Sequence, residues 1–137
     1  MAGKKTEVST IMAMVSVPPL NVCYRVDWQA DDTDGSVDTA LLPLFDGDII
    51  LVVTKPGTVV APSNGYNITL FDGCDYDLMH GALEGRSATA IEHDRCPTDG
   101  GLETMDRPVA GQVEVHITDN TANSATGTIF IYVRQHQ

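Results

Sequence analysis

The stretch QVEVHITDNTANSATGTIFIYVR, Gln112 to Arg134, decides the fold class. Val113, Val115 and Ile117 alternate with Glu114, His116 and Thr118, and Ile129, Ile131 and Val133 alternate with Phe130, Tyr132 and Arg134. Alternation with period two puts one set of side chains in a core and the other on a surface, which is the signature of a strand. Between the runs, Asp119-Asn120-Thr121-Ala122-Asn123-Ser124 is rich in residues that bond their own backbone and favour turns. Two such ribbons joined by a turn predict a terminal hairpin.

The same reading extends towards the N-terminus. Val22, Tyr24, Val26 and Trp28 alternate with Cys23, Arg25 and Asp27, and Tyr66, Ile68 and Leu70 alternate with Asn67 and Thr69. Asp48 to Thr54 (DIILVVT) is a continuous apolar run, expected as a strand buried on both faces. Val37 to Leu44 is expected as a further strand across a hairpin, and Val8 to Val17 as a first strand ended by Pro18-Pro19. Leu78 to Glu84 (LMHGALE) has room for one helical turn, weakened by Gly81. Residues 85–110 hold few apolar side chains and many turn formers, so they read as a long irregular excursion of the kind that carries contacts. The expected fold is all-β. It is a single β-sandwich or barrel-like domain over residues 18–137, with about seven or eight mostly antiparallel strands. Residues 1–17 precede it as a flexible N-terminal arm or first strand.

Composition bounds the function. The chain has 137 residues and a net charge of −11, from eight Lys and Arg against nineteen Asp and Glu. That balance disfavours a groove tracking nucleic-acid phosphates. No stretch reaches the roughly 20 apolar residues of a membrane helix, so no membrane partner is expected. Lys4 and Lys5 precede only a short semi-apolar run with no small-residue cleavage site, which argues against a secretory signal. Cys23, Cys74 and Cys96 are an odd number, which excludes a complete disulfide framework and leaves one bridge with one free thiol as the alternative to the preferred reading, three reduced thiols of a protein made in a cytoplasm.

Candidate sites are sparse. Asp31-Asp32-Thr33-Asp34-Gly35 suggests a calcium loop, but aligned on Gly35 the first and last ligand positions fall on Ala30 and Leu41. Asp72, Asp75 and Asp77 form a second acidic cluster, and both read first as solvated turns. Cys74, His80, His93 and Cys96 have the residue types of a zinc site, with ligand-like spacing only at His93 and Cys96. Reduced cysteines and loop histidines are the preferred reading. No Gly-x-Ser-x-Gly elbow, phosphate-binding glycine loop or His-Glu-x-x-His motif is present, so neither a cofactor nor an enzymatic activity is expected. Asn67-Ile68-Thr69 matches a glycosylation sequon but reads as ordinary strand, and Trp28 and Tyr66 read as core or sheet-face aromatics. Lys4, Lys5, Arg86, Arg95 and Arg107 are the candidate contact residues, the last three on the Glu84–Pro108 excursion.

From residue 47 onward the order of short motifs resembles a family of small bacteriophage virion proteins. The pieces are Thr54-Lys55-Pro56-Gly57, Pro62-Ser63-Asn64-Gly65-Tyr66-Asn67-Ile68-Thr69-Leu70 and Asp77-Leu78-Met79-His80-Gly81-Ala82-Leu83-Glu84-Gly85-Arg86. Asn120-Thr121-Ala122-Asn123-Ser124-Ala125 and Ile131-Tyr132-Val133-Arg134 close the pattern, to which the cysteines and His80 do not belong. The resemblance implies a head decoration or cement protein on the capsid surface of the virion, made in the host cytoplasm. Its implied partners are the major capsid protein, other virion proteins and copies of itself, a trimer first. A tail or head-tail connector protein is the alternative within that class. A calcium- or carbohydrate-binding β-sandwich module is the alternative outside it.

Overall fold

The computed structural model describes residues 4–12, 21–98 and 103–135. Among these the chain is all-β, with eleven strands in open, antiparallel sheets. The strands are β1 (Lys5–Met12), β2 (Asn21–Gln29), β3 (Ala40–Leu41), β4 (Phe45–Pro56), β5 (Asn67–Phe71) and β6 (Glu92–Asp94). The remainder are β7 (Cys96–Pro97), β8 (Thr104–Met105), β9 (Arg107–Gly111), β10 (Glu114–Thr118) and β11 (Thr126–Gln135). The large sheet runs β1-β2-β11-β4-β6, with β9 sharing the outer edge of β4; the small sheet runs β3-β10-β5. Because the large sheet is an open path, the architecture is sandwich-like rather than a closed barrel.

Alternation places the core. In β2 the inward set is Val22, Tyr24, Val26 and Trp28, and in β11 it is Ile129, Ile131 and Val133. From the small sheet come Ile68, Leu70, Val115 and Ile117. An aromatic contact joins the layers, with Trp28 packed on Tyr66 at a ring-centroid distance of 5.7 Å, and within the large sheet Tyr24 packs on Phe45 at 5.4 Å.

Several expectations are corrected here. The expected terminal hairpin does not form: β10 pairs with β3 and β5, while β11 pairs with β2 and β4. Alternation fixes which side of each strand is apolar, and two such strands satisfy it equally well by facing each other across the core. The connection crosses between sheets and is pinned by Asn120, which is buried. Its amide donates to the carbonyls of Gly35 (2.8 Å) and Ala122 (3.1 Å), and its carbonyl accepts the Ser63 N–H (3.0 Å). Gly35, at φ +74°, permits this approach; a Cβ there would lie 2.9 Å from the Thr121 backbone.

The apolar run in β4 is buried on one face, not two. A bulge between the pairs Tyr132–Leu51 and Val133–Ile49 leaves Ile50 as the extra residue. Ile49 and Val52 point inward, and Ile50, Leu51 and Val53 line a half-buried outer face. The expected Val37–Leu44 strand shrinks to β3, which pairs with β10 rather than forming a hairpin with β2. Leu78–Glu84 forms successive turns with no helix. The excursion over residues 85–110 contains the short strands β6, β7 and β8 and the start of β9, which raises the strand count above the expected one. At the N-terminus, β1 pairs along its length with β2 and is, among the described residues, the edge strand of the large sheet. The rest of the expected first strand, residues 13–17, lies outside the described residues, as do Pro18, Pro19 and the Asp99-Gly100-Gly101 turn.

Candidate interaction surface

The segment Asp72–Arg86 covers the outer edge of β5. Leu78 donates its N–H to the Leu70 carbonyl (2.8 Å), Ile68 donates to Leu83 (3.0 Å), and Arg86 donates to Tyr66 (2.7 Å). Side chains hold this cover, because no strand ladder does. One Asp72 carboxylate oxygen accepts the N–H groups of Cys74 (2.8 Å) and Tyr76 (3.0 Å). The Asp77 carboxylate accepts Met79 (3.1 Å) and Gly81 (2.8 Å). These acidic residues build turns, and so does the first acidic cluster. One Asp31 carboxylate oxygen accepts the Thr33 N–H at 2.8 Å, and one of Asp34 accepts the Ser36 N–H at 2.9 Å. The Thr33 hydroxyl and N–H hold the Asp31 carboxyl below the usual carboxylate range; the Ser36 N–H and hydroxyl do the same for Asp34.

Arg86 closes the cover from inside. It is 4% exposed, and it donates to one oxygen of Asp94 through both terminal nitrogens (2.7 Å each), to Glu92 (3.4 Å) and to the Ala82 carbonyl (3.2 Å). A buried guanidinium saturated by its own chain is a structural lock, so the reading of Arg86 as a surface contact is corrected. Asn67 is likewise taken up. Its amide donates to Asp119 at 2.5 Å and its carbonyl accepts the Gly85 N–H at 2.8 Å.

The four zinc candidates do not assemble. Cys74 is exposed on a turn, His93 is exposed on β6, and Cys96 is buried with its thiol against the Leu78 carbonyl at 3.2 Å. Among the described residues no three His, Cys, Asp or Glu side chains are grouped to hold a metal ion. Cys23, Cys74 and Cys96 are free thiols, and burial pushes the Cys23 thiol up.

His80 belongs instead to a surface knuckle with Tyr76 and Arg107. His80 sits at φ +51°, which aims its ring at both neighbours. Its Nε2 meets the Tyr76 hydroxyl at 2.9 Å and the Arg107 guanidinium. Arginine only donates, so in this contact Nε2 is the acceptor. Arg107 stacks over the Tyr76 ring at 5.5 Å and anchors itself on the Leu78 carbonyl at 2.9 Å.

A second patch occupies the outer face of the large sheet. Ile50, Leu51 and Tyr132 floor a groove of about 400 Å³. Asp106 accepts from Arg95 (2.5 Å) and Arg134 (3.1 Å) on its rim. Farther along the face, Arg25 lies 5.5 Å over the Phe130 ring and pairs with Asp27 at 2.9 Å. A half-buried apolar floor ringed by arginine and tyrosine has the composition of protein-binding surfaces. Sequence reasoning reached Arg95 and Arg107 but missed Tyr76, Tyr132 and Arg134, whose exposure depends on which face each takes. Lys4 pairs with Asp38 at 3.6 Å near the turn that follows β2, and Lys5 stands exposed at the edge strand.

No family model, curated protein or solved structure matches the chain. Among the described residues no helix is long and apolar enough to cross a membrane.

Proposed function

We propose that this chain is a non-enzymatic virion structural protein, a decoration or cement protein that binds and stabilises a phage head shell. One observation carries the reading. The motifs that resemble the phage virion family are neighbours in space and form one device. The Tyr66–Leu70 strand is edged by the Asp77–Arg86 cover, bridged at Tyr66 and Arg86. The Asn120 connection, which leads into the closing strand, holds Ser63 just ahead of the Tyr66–Leu70 strand. A pattern of short motifs whose parts depend on one another physically is stronger support than the same motifs scattered.

The surface supports a binding role. The groove over Ile50, Leu51 and Tyr132 and the Tyr76–His80–Arg107 knuckle offer aromatic and arginine side chains on the sheet and its turn cover. The net charge of −11 suits a surface that faces solvent or meets basic patches of a shell. The test is co-sedimentation with expanded, undecorated phage capsids, counting bound copies per shell. Saturation at a number set by capsid symmetry is expected. Substituting Arg95→Ala with Arg107→Ala is expected to weaken binding at least tenfold. Absence of saturable binding to any shell overturns the reading in favour of a tail or connector location or a role outside the virion.

A further inference from the structure

The cations of this acidic chain are almost all spoken for. Lys4, Arg25, Arg86, Arg95 and Arg134 have carboxylate partners, and Arg107 is held by His80 and a carbonyl. Among the described residues only Lys5 and Lys55 have none, and both line the same cleft, of about 440 Å³, on the outer face of the large sheet. Strand register explains the meeting. Glu7 lies opposite Asp27, Asp27 opposite Thr128, and Thr128 opposite Lys55, so one polar row crosses β1, β2, β11 and β4. Lys5 stands beside that row, opposite Gln29.

The local charge differs from the global one. Asp27 is neutralised by Arg25 and also accepts the Thr128 hydroxyl at 2.8 Å. That leaves Lys5 and Lys55 against Glu7 alone, a net positive spot on a chain of −11. At physiological salt the rest of the surface is screened beyond about 8 Å. Beneath the floor, on the core side of the sheet, lies a reporter for the cleft. Trp28 lines the cleft, is 2% exposed, and its Nε1 is a buried side-chain donor without a hydrogen-bond partner. That edge of the indole lies against Gly127, where a Cβ would come within 2.6 Å of Nε1. Gly127 also lines the cleft, so the donor sits just under its floor.

The geometry points to a binding site for an extended acidic peptide segment laid across the four strands, with a carboxylate at each lysine. Adjacent strands are about 4.8 Å apart, so β1 and β4 are separated by about 14 Å. An extended chain rises about 3.3 Å per residue, so the two carboxylates belong about four residues apart. The Gln29 amide and the Thr58 and Thr128 hydroxyls supply hydrogen bonds to the segment's backbone. The inference is independent of the shell-binding reading, and its test needs no capsid.

Trp28 is the single tryptophan, so its indole N–H gives one unambiguous NMR signal at the cleft. The full chain is titrated with the blocked peptide Glu-Ala-Ala-Ala-Glu, with its Gln-Ala-Ala-Ala-Gln counterpart, and with glutarate as a small free dicarboxylate. A saturable shift of the indole signal with the Glu peptide alone is expected. Its affinity should fall at least tenfold in the double variant Lys5→Gln, Lys55→Gln. Both lysines are exposed, and an otherwise unchanged amide spectrum verifies that the variant is folded. Equal response to the two peptides, no saturable response, or unchanged affinity in the double variant overturns the site. Glutarate binding as tightly as the peptide overturns the assignment to a segment.

Discussion

Two strands of the sandwich core have their backbone groups met in opposite ways. In the large sheet β11 is flanked on both sides, by β2 and β4, so its backbone groups are met by a regular ladder. In the small sheet β5 has a ladder on one side only, and its other side is met by the turns of Asp72–Arg86. The first solution uses backbone and alternation. The second uses carboxylates, a guanidinium and residues at positive φ to hold irregular chain in register. Ladder stability is therefore spread over many equivalent bonds, whereas cover stability is concentrated in a few side chains.

The largest effect is expected where that concentration is greatest. Arg86→Ala removes the donor shared by Asp94, Glu92 and the Ala82 carbonyl. Breaking a buried pair costs about 3–5 kcal/mol, and the low end applies because Asp94 and Glu92 are 38% and 34% exposed. Denaturant unfolding should show a loss of about 3 kcal/mol. Hydrogen exchange sharpens the contrast: the Leu78 and Arg86 amides should exchange through local opening, while the β11 amides exchange only with global unfolding. Uniform loss of protection across both regions would show that cover and ladder form one cooperative unit.

This contrast also explains what could be read in advance. β2, β5, β10 and β11 were legible because period-two alternation reports directly on a buried face. Their partners were not, since Val115 and Ile131 need only a common core and carry no mark of which sheet holds them. The bulge at Ile50 was hidden for a related reason: an apolar run looks the same whether it is buried twice or slips one residue to an outer face. In the cover, Arg86 read as a free surface charge. Its burial depends on Asp94 and Glu92 being returned by β6, a three-residue strand too short to carry a period. Of the contact candidates, Lys5 and Arg107 reach exposed clusters whose other members, Lys55 and Tyr76, are distant in sequence or on an unpredicted turn.

A medium effect is expected from the ladder itself. Gly127 faces Trp28 across β2 and β11, and an added Cβ would meet the indole ring at 2.6 Å. Gly127→Ala must push the ring or part the strands, and overpacking of this kind costs about 1–3 kcal/mol. Thermal unfolding should register that loss together with a change in Trp28 fluorescence. Because ladder bonds are shared among many neighbours, the Leu78 and Arg86 amides should keep their protection relative to global unfolding. A selective loosening of the cover by this substitution would break the proposed separation of the two regions.

The smallest effect tests whether side-chain-held turns outside the cover follow the same rule. The Asp31–Ser36 turn lies between β2 and β3, and so between the two sheets, and its carboxylates hold N–H and hydroxyl donors of Thr33 and Ser36. Both carboxyls therefore titrate below their ordinary value of 3.8 in the folded chain. The unfolded chain takes up these protons first as pH falls, so stability rises with pH in this window. Their contribution is complete above the ordinary value and is lost as pH falls through the depressed folded values. Asp31→Asn with Asp34→Asn keeps the shape of each acceptor and removes its titration. The double variant should unfold with a shallower dependence on pH below about 4, measured by urea midpoints across the acid limb. The turn is at the surface, so the change in slope should be small beside the loss on Arg86→Ala. An acid limb identical to that of the unsubstituted chain would mean that these carboxylates do not hold the turn in solution, and that side-chain control of irregular chain is confined to the β5 cover.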